Sequence, residues 1–554
     1  MKIKNDLPVK AACLFSFVCF LFAGAGAVSG QEYHSGDKAA LKAFLTQPSQ
    51  DAGKANWEQF LSYEKEPLWD SREDWVKETG VVWNNASPKR ITQINWEKKR
   101  IAGRLDVSAC TELTSLFCYD NALTSLTAAD LSRLATIECF ANKLERLDLS
   151  GLSSLKRLVC NDNQLKALDV SGLPALTSLQ CYNNLLERID LSSPVNLYLL
   201  DIRNNQLRSL DVRSLERLER LMCSHNKLEQ LNVFPLQTLY ELDCSDNRLE
   251  EIEISERTKL DKVDCSNNRL KELVTSGWEY LTELLCSSNH LTSLDLSGSP
   301  YLTRLNCASN RLESLNIIKQ YELLFLDCSA NKLTSIDLSE NQKLEELYIF
   351  NNELPDIKLD GLQKIWKMHC YGNHLPLSKL PDAQGLVFYE YIYAPQQDID
   401  GGATTNGIID LQNQLRNDKT VFGWYVKDDL QTALTDIINE NGIFRIPATY
   451  TGKTLICRIT NADLPATTLY PLIYKIYIKS STVATGTATE SAAALYRQAG
   501  TLYIKLTRQD ELRIYTPAGT LYLRRTLSAG VHGFALPKGI WLIALQEETF
   551  KTAM

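Results

Sequence analysis

Eleven cysteines of this chain fall on a single 21-residue grid: Cys118, Cys139, Cys160, Cys181, Cys223, Cys244, Cys265, Cys286, Cys307, Cys328 and Cys370. The two vacant grid points hold Ile202 and Ile349, which are apolar stand-ins. Three residues after every grid point stands an asparagine: Asn121, Asn142, Asn163, Asn184, Asn205, Asn226, Asn247, Asn268, Asn289, Asn310, Asn331, Asn352 and Asn373. Five residues after every grid point stands a leucine, from Leu123 to Leu375. A period this strict belongs to a stack of like units, each contacting only its neighbours. The unit reads L-x-x-L-x-C-x-x-N-x-L, as in Leu113-Thr-Ser-Leu116-Phe-Cys118-Tyr-Asp-Asn121-Ala-Leu123, and a second stretch such as Leu147-Asp-Leu149-Ser150 follows.

Stacking is obligatory for such a unit. One rung buries about six apolar side chains at roughly 1.5–3 kcal/mol each. Ordering its backbone costs about 1–2 kcal/mol per residue, so a single rung does not fold alone. Each rung supplies a short strand, a turn at the asparagine and a return segment. The aligned asparagine amides both donate and accept, so they can close the turns against neighbouring backbone groups. Ile91, Ile94, Trp96 and Ile101 form a partial rung in the same frame. With it, a parallel sheet of about 14 strands at ~4.8 Å spacing runs roughly 60 Å.

The cysteine column has two readings. One is a redox or metal column. The other is a layer of small buried hydrophobes. Residues in register on parallel strands lie about one strand spacing apart, longer than a disulfide prefers. Eleven is odd, and isoleucine replaces cysteine twice. The buried layer is therefore expected, with Cys110 buried too at a position filled by Leu131, Leu152 and Leu173 in later rungs.

This is the leucine-rich-repeat pattern with cysteine at a usual leucine position. Over residues 91–380 it resembles the internalin J-like cysteine-ladder proteins of bacterial surfaces. The resemblance implies an α/β-type solenoid, a horseshoe of 21-residue repeats lined by a parallel β-sheet. It also implies an adhesin-like protein whose concave face docks a ligand without catalysis.

The flanks differ from the array. Lys2, Lys4 and Lys10 precede an apolar stretch, Ala11 to Ala23, too short to span a bilayer. Small residues at Ala25–Ala27 and Val28–Gly30 offer cleavage sites, so residues 1–30 read as an export signal. Val18 before Cys19 disfavours lipid attachment, and no later segment is apolar for 18 residues, which leaves no transmembrane segment after signal removal. Residues 31–90 read as a helical cap: Asp37–Phe44 as a capped helix, and Trp57, Phe60, Trp69 and Trp75 at helical spacing. Alternating runs Val387–Ala394, Ile408–Leu415, Phe422–Lys427, Ile443–Ala448, Leu455–Thr460 and Leu472–Lys479 make residues 381–479 a β-sandwich of immunoglobulin-like class. Residues 480–494, rich in Ser, Thr and Ala, read as a linker. Residues 495–554 form a small β unit whose strand–Gly–strand layout resembles the C-terminal sorting domain of type IX secretion substrates.

A search for chemistry returns little. The chain has no Gly-x-Ser-x-Gly, no phosphate-cradling glycine loop and no His-Glu-x-x-His, and its His residues are scattered. No enzyme, cofactor or metal site is expected. A net charge of −8 argues against a nucleic-acid partner. What remains is the concave face, where the residues flanking each cysteine point outward. Aromatic residues gather near its two ends: Phe117, Tyr119, Phe140 and Tyr182 early, then Phe325, Tyr348, Phe350, His369 and Tyr371 late. Between them lie small and charged residues, including Asp201, Asp243, Asp264 and Asp327. Exposed aromatic clusters anchor interfaces. The chain thus reads as an extracellular or cell-surface protein, outer-membrane associated, that binds a protein ligand. A glycan-binding module and a structural envelope component are the alternatives.

Overall fold

The computed structural model describes residues 33–61, 76, 79–254, 259–359, 361–380, 389–404, 407–464 and 471–478, and beyond them seven strands of the C-terminal segment. The chain divides into two compact units, the first holding the array and the second most of the C-terminal segment.

The array builds a 16-stranded sheet. Val81–Trp83 lies antiparallel to Ile91–Asn95, and every later strand adds in parallel, from Ser115–Phe117 through Lys367–His369 to Glu390–Ile392. The partial rung is as expected, with Ile91, Ile94, Trp96 and Ile101 fully buried. Most strands are only three residues long, because the backbone turns sharply before each ladder asparagine. The residue ahead of every one, from Asp120 to Gly372, is left-handed with φ between 51° and 67°. Ala141, Ser309 and Ala330 hold this conformation without the freedom of glycine, so the asparagine bonds must over-determine it.

Those bonds tie consecutive rungs together. Asn268 is representative: its Nδ2 donates to the Cys244 carbonyl one rung back (3.0 Å) and to its own Cys265 carbonyl (3.1 Å), while its Oδ1 accepts from Leu249 N–H (2.9 Å). All thirteen asparagines bridge the carbonyls of their own grid residue and of the rung before. Cys110 and the eleven grid cysteines are free thiols with no exposed surface. Burial pushes Cys110 and Cys370 up to about 12 and the others higher still.

Three sequence expectations need correction. The solenoid is a β-solenoid, not an α/β one: among the described residues of the array there is no α-helix, and Ser35–Leu45 precedes it. Twenty-one residues leave too little chain for a return helix, and tight turns such as Asp148–Ser150 take its place, Asp148 Oδ1 accepting Ser150 N–H (3.1 Å) and Oγ–H (2.8 Å). Among the described residues the parallel strands of the long sheet number fifteen, because Glu390–Ile392, expected in the β-sandwich, completes a last rung. There Gln396 replaces the ladder asparagine, its Nε2 donating to Cys370 O and Tyr393 O. Lastly, Asp37 does not cap its helix. Its buried carboxylate accepts from Ile91 N–H (2.8 Å) and pairs with Arg90, pinning the helix to the first parallel strand. Phe44 then stacks on Trp96 (5.0 Å), and Asn56 both donates to and accepts from Ala102. Of the rest of the expected helical packing, Asn56–Gln59 forms a short 3-10 turn and Val76 is helical; Trp69 and Trp75 lie outside the described residues.

Beyond the array, Ile399–Thr404, Leu472–Ile478, Thr454–Asn461 and Thr420–Val426 form a four-stranded sheet, and Ile408–Asp410, Ile443–Arg445 and Ile438–Glu440 a three-stranded one. Phe422 and Trp424 of the first meet Phe444 of the second, at 5.0 and 5.3 Å between ring centroids. Cys457 is buried directly opposite Trp424. In the C-terminal segment, Ala493–Gln498, Thr501–Leu506 and Gly530–Phe534 make one sheet. Leu521–Leu527, Asp510–Tyr515, Ile540–Ala544 and Thr549–Ala553 make another. Residues 479–492, most of the expected linker, lie outside the described residues.

Candidate functional site

The exposed face of the long sheet carries three columns of outward side chains, three residues before, one before and one after each grid position. Strand alternation fixes this: in Phe325–Asp327 the central Leu326 is buried while Phe325 and Asp327 face out. All nine aromatic or imidazole residues expected on this face are half-buried.

The late five form one contiguous cluster over three rungs. Phe350 stacks on Tyr371 (4.6 Å, 10° between ring planes). The His369 ring meets Tyr348 edge to face (4.9 Å, 81°), and Phe325 lies against Tyr348 (5.4 Å). The early four do not gather as one group. Tyr119 stacks on Phe140 (4.4 Å, 8°), Phe117 sits on the adjoining column, and Tyr182 lies two rungs further on beneath the Arg203 guanidinium (5.4 Å). Eight rungs, about 38 Å at ~4.8 Å each, separate Tyr182 from Phe350, so the two groups cannot share one small ligand.

Three charged residues complete the late cluster, and sequence reading had not singled them out. Arg304 places its guanidinium over the Phe325 ring at 3.8 Å. Lys367 reaches the Tyr348 ring (5.5 Å) and pairs with Glu390 (2.8 Å). Glu390 also bonds His369 Nε2 (2.8 Å). Lys367 and then His369 hold the Glu390 carboxyl below the usual carboxylate range, and Glu390 chiefly raises the Lys367 ammonium. Burial, reinforced by a hydrogen bond from its hydroxyl to Glu346 (2.8 Å), raises the Tyr348 phenol. Arg304, Phe325, Glu346, Lys367 and Glu390 all lie on the first outward column. The first four are visible if residues are aligned at the period; Glu390 is not, because its rung is two residues longer.

The acidic residues between the clusters are engaged locally. Asp243 Oδ1 accepts from Ser245 Oγ (2.7 Å) and its Oδ2 from Ser224 Oγ (2.7 Å), and Asp264 accepts from Ser266 (2.6 Å). Burial raises the Asp264 carboxyl. Among the described residues, no group of three or more His, Cys, Asp or Glu side chains is placed to hold a metal ion. No described helix is long and apolar enough to cross a membrane. Ladder thiols held protonated by burial lack the nucleophilic thiolate.

No protein-family model matches the chain, and no curated protein matches it. Solved structures do. The functional domain of InlJ from Listeria monocytogenes, which includes a cysteine ladder, is similar with a TM-score of 0.56 and 26% identity, covering 70% of this chain and 91% of that one. The PEPR1–AtPEP1 structure is similar in fold with a TM-score of 0.54 and 19% identity, over 68% of this chain and 60% of that one. YopM from Yersinia enterocolitica WA-314 matches with a TM-score of 0.46 and 26% identity, over 54% of this chain and 64% of that one. With its sixteen-stranded sheet, asparagine bridges and column of buried thiols, the chain is a cysteine-ladder leucine-rich-repeat solenoid, similar in fold to the InlJ domain.

Proposed function

We propose that this chain is an exported binding protein, displayed at the cell surface or secreted, that captures a protein ligand on the exposed face of its long sheet. The contiguous cluster of Phe325, Tyr348, Phe350, His369 and Tyr371 is the observation that supports this reading. Rigid aromatic rings offer large contact area at low entropic cost, and here they sit on strands whose positions the asparagine bridges fix. Arg304 and Lys367 add charged contacts at the edge of the patch. In this reading residues 1–30 direct export and 31–90 cap the array. Residues 381–479 act as an immunoglobulin-like spacer, 480–494 link, and 495–554 serve sorting or anchoring. No catalysis is required of any of them.

The test places a photo-crosslinking residue at position 350 of the intact protein, with position 358 as control. A protein adduct confined to position 350, and lost in the Tyr348→Ala/Tyr371→Ala double variant at unchanged melting temperature, supports the reading. Equal adducts at both positions overturn it, and neutral oligosaccharides bound at these rings would make the protein a lectin. Brief protease treatment of intact cells tests location: repeat peptides released before the envelope is broken mean surface display, and protected repeats mean a periplasmic protein.

A further inference from the structure

A fourth column, at the edge of the sheet, carries a charge pattern that the ring cluster does not use. The residue after each ladder asparagine is basic at six successive rungs: Lys227, Arg248, Arg269, His290, Arg311 and Lys332. This run stands in a chain whose acidic residues outnumber Lys and Arg by 67 to 59. Each of the six backbone N–H groups donates to a leucine carbonyl of the preceding rung, at 2.8–2.9 Å, so the side chains stand in line. Five intervals of ~4.8 Å give a row of about 24 Å. All six are exposed or half-exposed. Arg248, Arg269, Arg311 and Lys332 have no ion-pair partner among the described residues, whereas exposed bases elsewhere on the array, such as Lys271 and Lys343, pair with glutamates.

The two banks of the row differ. Toward the sheet lie Asn267, Ser288 and Ser309, uncharged groups that donate and accept hydrogen bonds. On the other bank an open groove of about 840 Å³ borders Arg248 and Arg269, and there Glu229, Glu250, Glu251 and Glu272 balance the bases, Arg208 and Lys271 included. Beyond it the same bank holds Thr292 opposite His290, Glu313 opposite Arg311 and Thr334 opposite Lys332, so the positive field is least compensated at His290 and Lys332.

We propose that this rim binds a linear anionic polysaccharide, its sulfate or carboxylate groups following the basic row while its hydroxyls meet the serine and asparagine bank. Spacing favours a sugar polymer over an acidic peptide. An extended peptide sets same-side carboxylates about 6.8 Å apart, at ~3.4 Å per residue, and drifts out of step with a ~4.8 Å row within a few rungs. A pyranose chain advances by about one strand spacing per sugar and can present an anion on each. Single-stranded nucleic acid would call for aromatic platforms beside the bases, and the neighbouring positions here are serine and asparagine.

The experiment measures binding of a size-defined heparin hexasaccharide to the intact protein by calorimetry at physiological salt. Binding is expected to weaken about tenfold in Arg269→Ala/Arg311→Ala, with a shallower salt dependence. It should stay unchanged in Lys319→Ala/Lys358→Ala, which removes two exposed charges from other columns. Both variant pairs alter exposed side chains, and unchanged melting temperatures confirm folding. Absence of binding overturns the proposal, as does equal weakening in both double variants, which would mean diffuse charge attraction. Equally tight binding of a poly-glutamate peptide at the same rim also overturns it, assigning the row to an acidic protein instead.

Discussion

Raising the pH should unfold this solenoid before its lysines lose their charge, and the cysteine ladder sets the scale. All eleven grid thiols are fully buried, and burial, the largest cause at each, holds them protonated far above the ordinary value of 9.0. In the unfolded chain the same thiols ionise normally. Above pH 9 the folded state therefore binds more protons than the unfolded one, and stability falls as pH rises. At pH 9.5 an unfolded thiol is about three-quarters ionised, which favours unfolding by about 0.8 kcal/mol per cysteine. Eleven such groups total about 9 kcal/mol, comparable with the whole stability of an ordinary domain at roughly 5–15 kcal/mol. Circular dichroism and thiolate absorbance, followed together under reducing conditions from pH 8 to 10, should change in one concerted step. Replacing Cys244, Cys265, Cys286 and Cys307 by alanine should remove about 3 kcal/mol of this sensitivity at pH 9.5 and move the transition upward, whatever it costs at neutral pH. Thiolate absorbance rising near pH 9 while the native spectrum persists would refute the reasoning, because it would mean that water reaches the ladder. An unmoved transition in the four-alanine variant would refute it equally.

Other perturbations probe the remaining parts of the scaffold. Asn268→Ala strips the donor from the Cys244 and Cys265 carbonyls and the acceptor from Leu249 N–H, and should cost about 3–5 kcal/mol, read as loss of hydrogen-exchange protection centred on those rungs. Ser309 sits at φ 55°, so Ser309→Val should destabilise by about 1–2 kcal/mol in chemical denaturation, whereas Ser309→Asn should be neutral or stabilising. Glu390, whose carboxyl lies below its ordinary 4.5, ties the last strand to Lys367 and His369. That tie is fully present above pH 4.5 and is lost as pH falls through the lowered value, so exchange protection across Glu390–Ile392, corrected for the intrinsic pH dependence of exchange, should fall there in the native protein and stay constant over that range in Glu390→Gln.

Legibility in the sequence followed the period. Leu116, Cys118, Asn121 and Leu123 recur thirteen times in kind, so their burial and their bonding role could be read without coordinates. The period lapses in the last rung, and the reading lapsed with it. Lys367 to Glu390 spans 23 residues, Tyr393 replaces the cysteine, and the longer amide of Gln396 reaches the Cys370 carbonyl that an asparagine would have bonded. Asp37 misled for a different reason. An acidic residue in a first helical turn satisfies local rules, but Ile91 N–H and Arg90, more than fifty residues away, offered it buried partners. The rings of the late cluster were legible as outward aromatics, while Arg304 and Lys367 were not, because a lone basic residue acquires meaning only when the stack sets it over a neighbouring rung's ring.

The same geometry says where specificity must reside. Stacking demands near-identity at the inward positions, so leucine, cysteine and asparagine columns have no room to encode a partner. Outward columns are free to vary, and a strand spacing of ~4.8 Å turns variation along the sequence into a linear pattern in space. Two runs lie outside what the scaffold needs: rings at Phe325, Tyr348, Phe350, His369 and Tyr371 across the three columns of the exposed face, and bases from Lys227 to Lys332 on the rim. Their rungs overlap at Phe325 and Lys332. A partner engaging either run must therefore extend along the stack over several rungs, and exchanging one rung for its neighbour should shift the pattern while leaving the core unchanged.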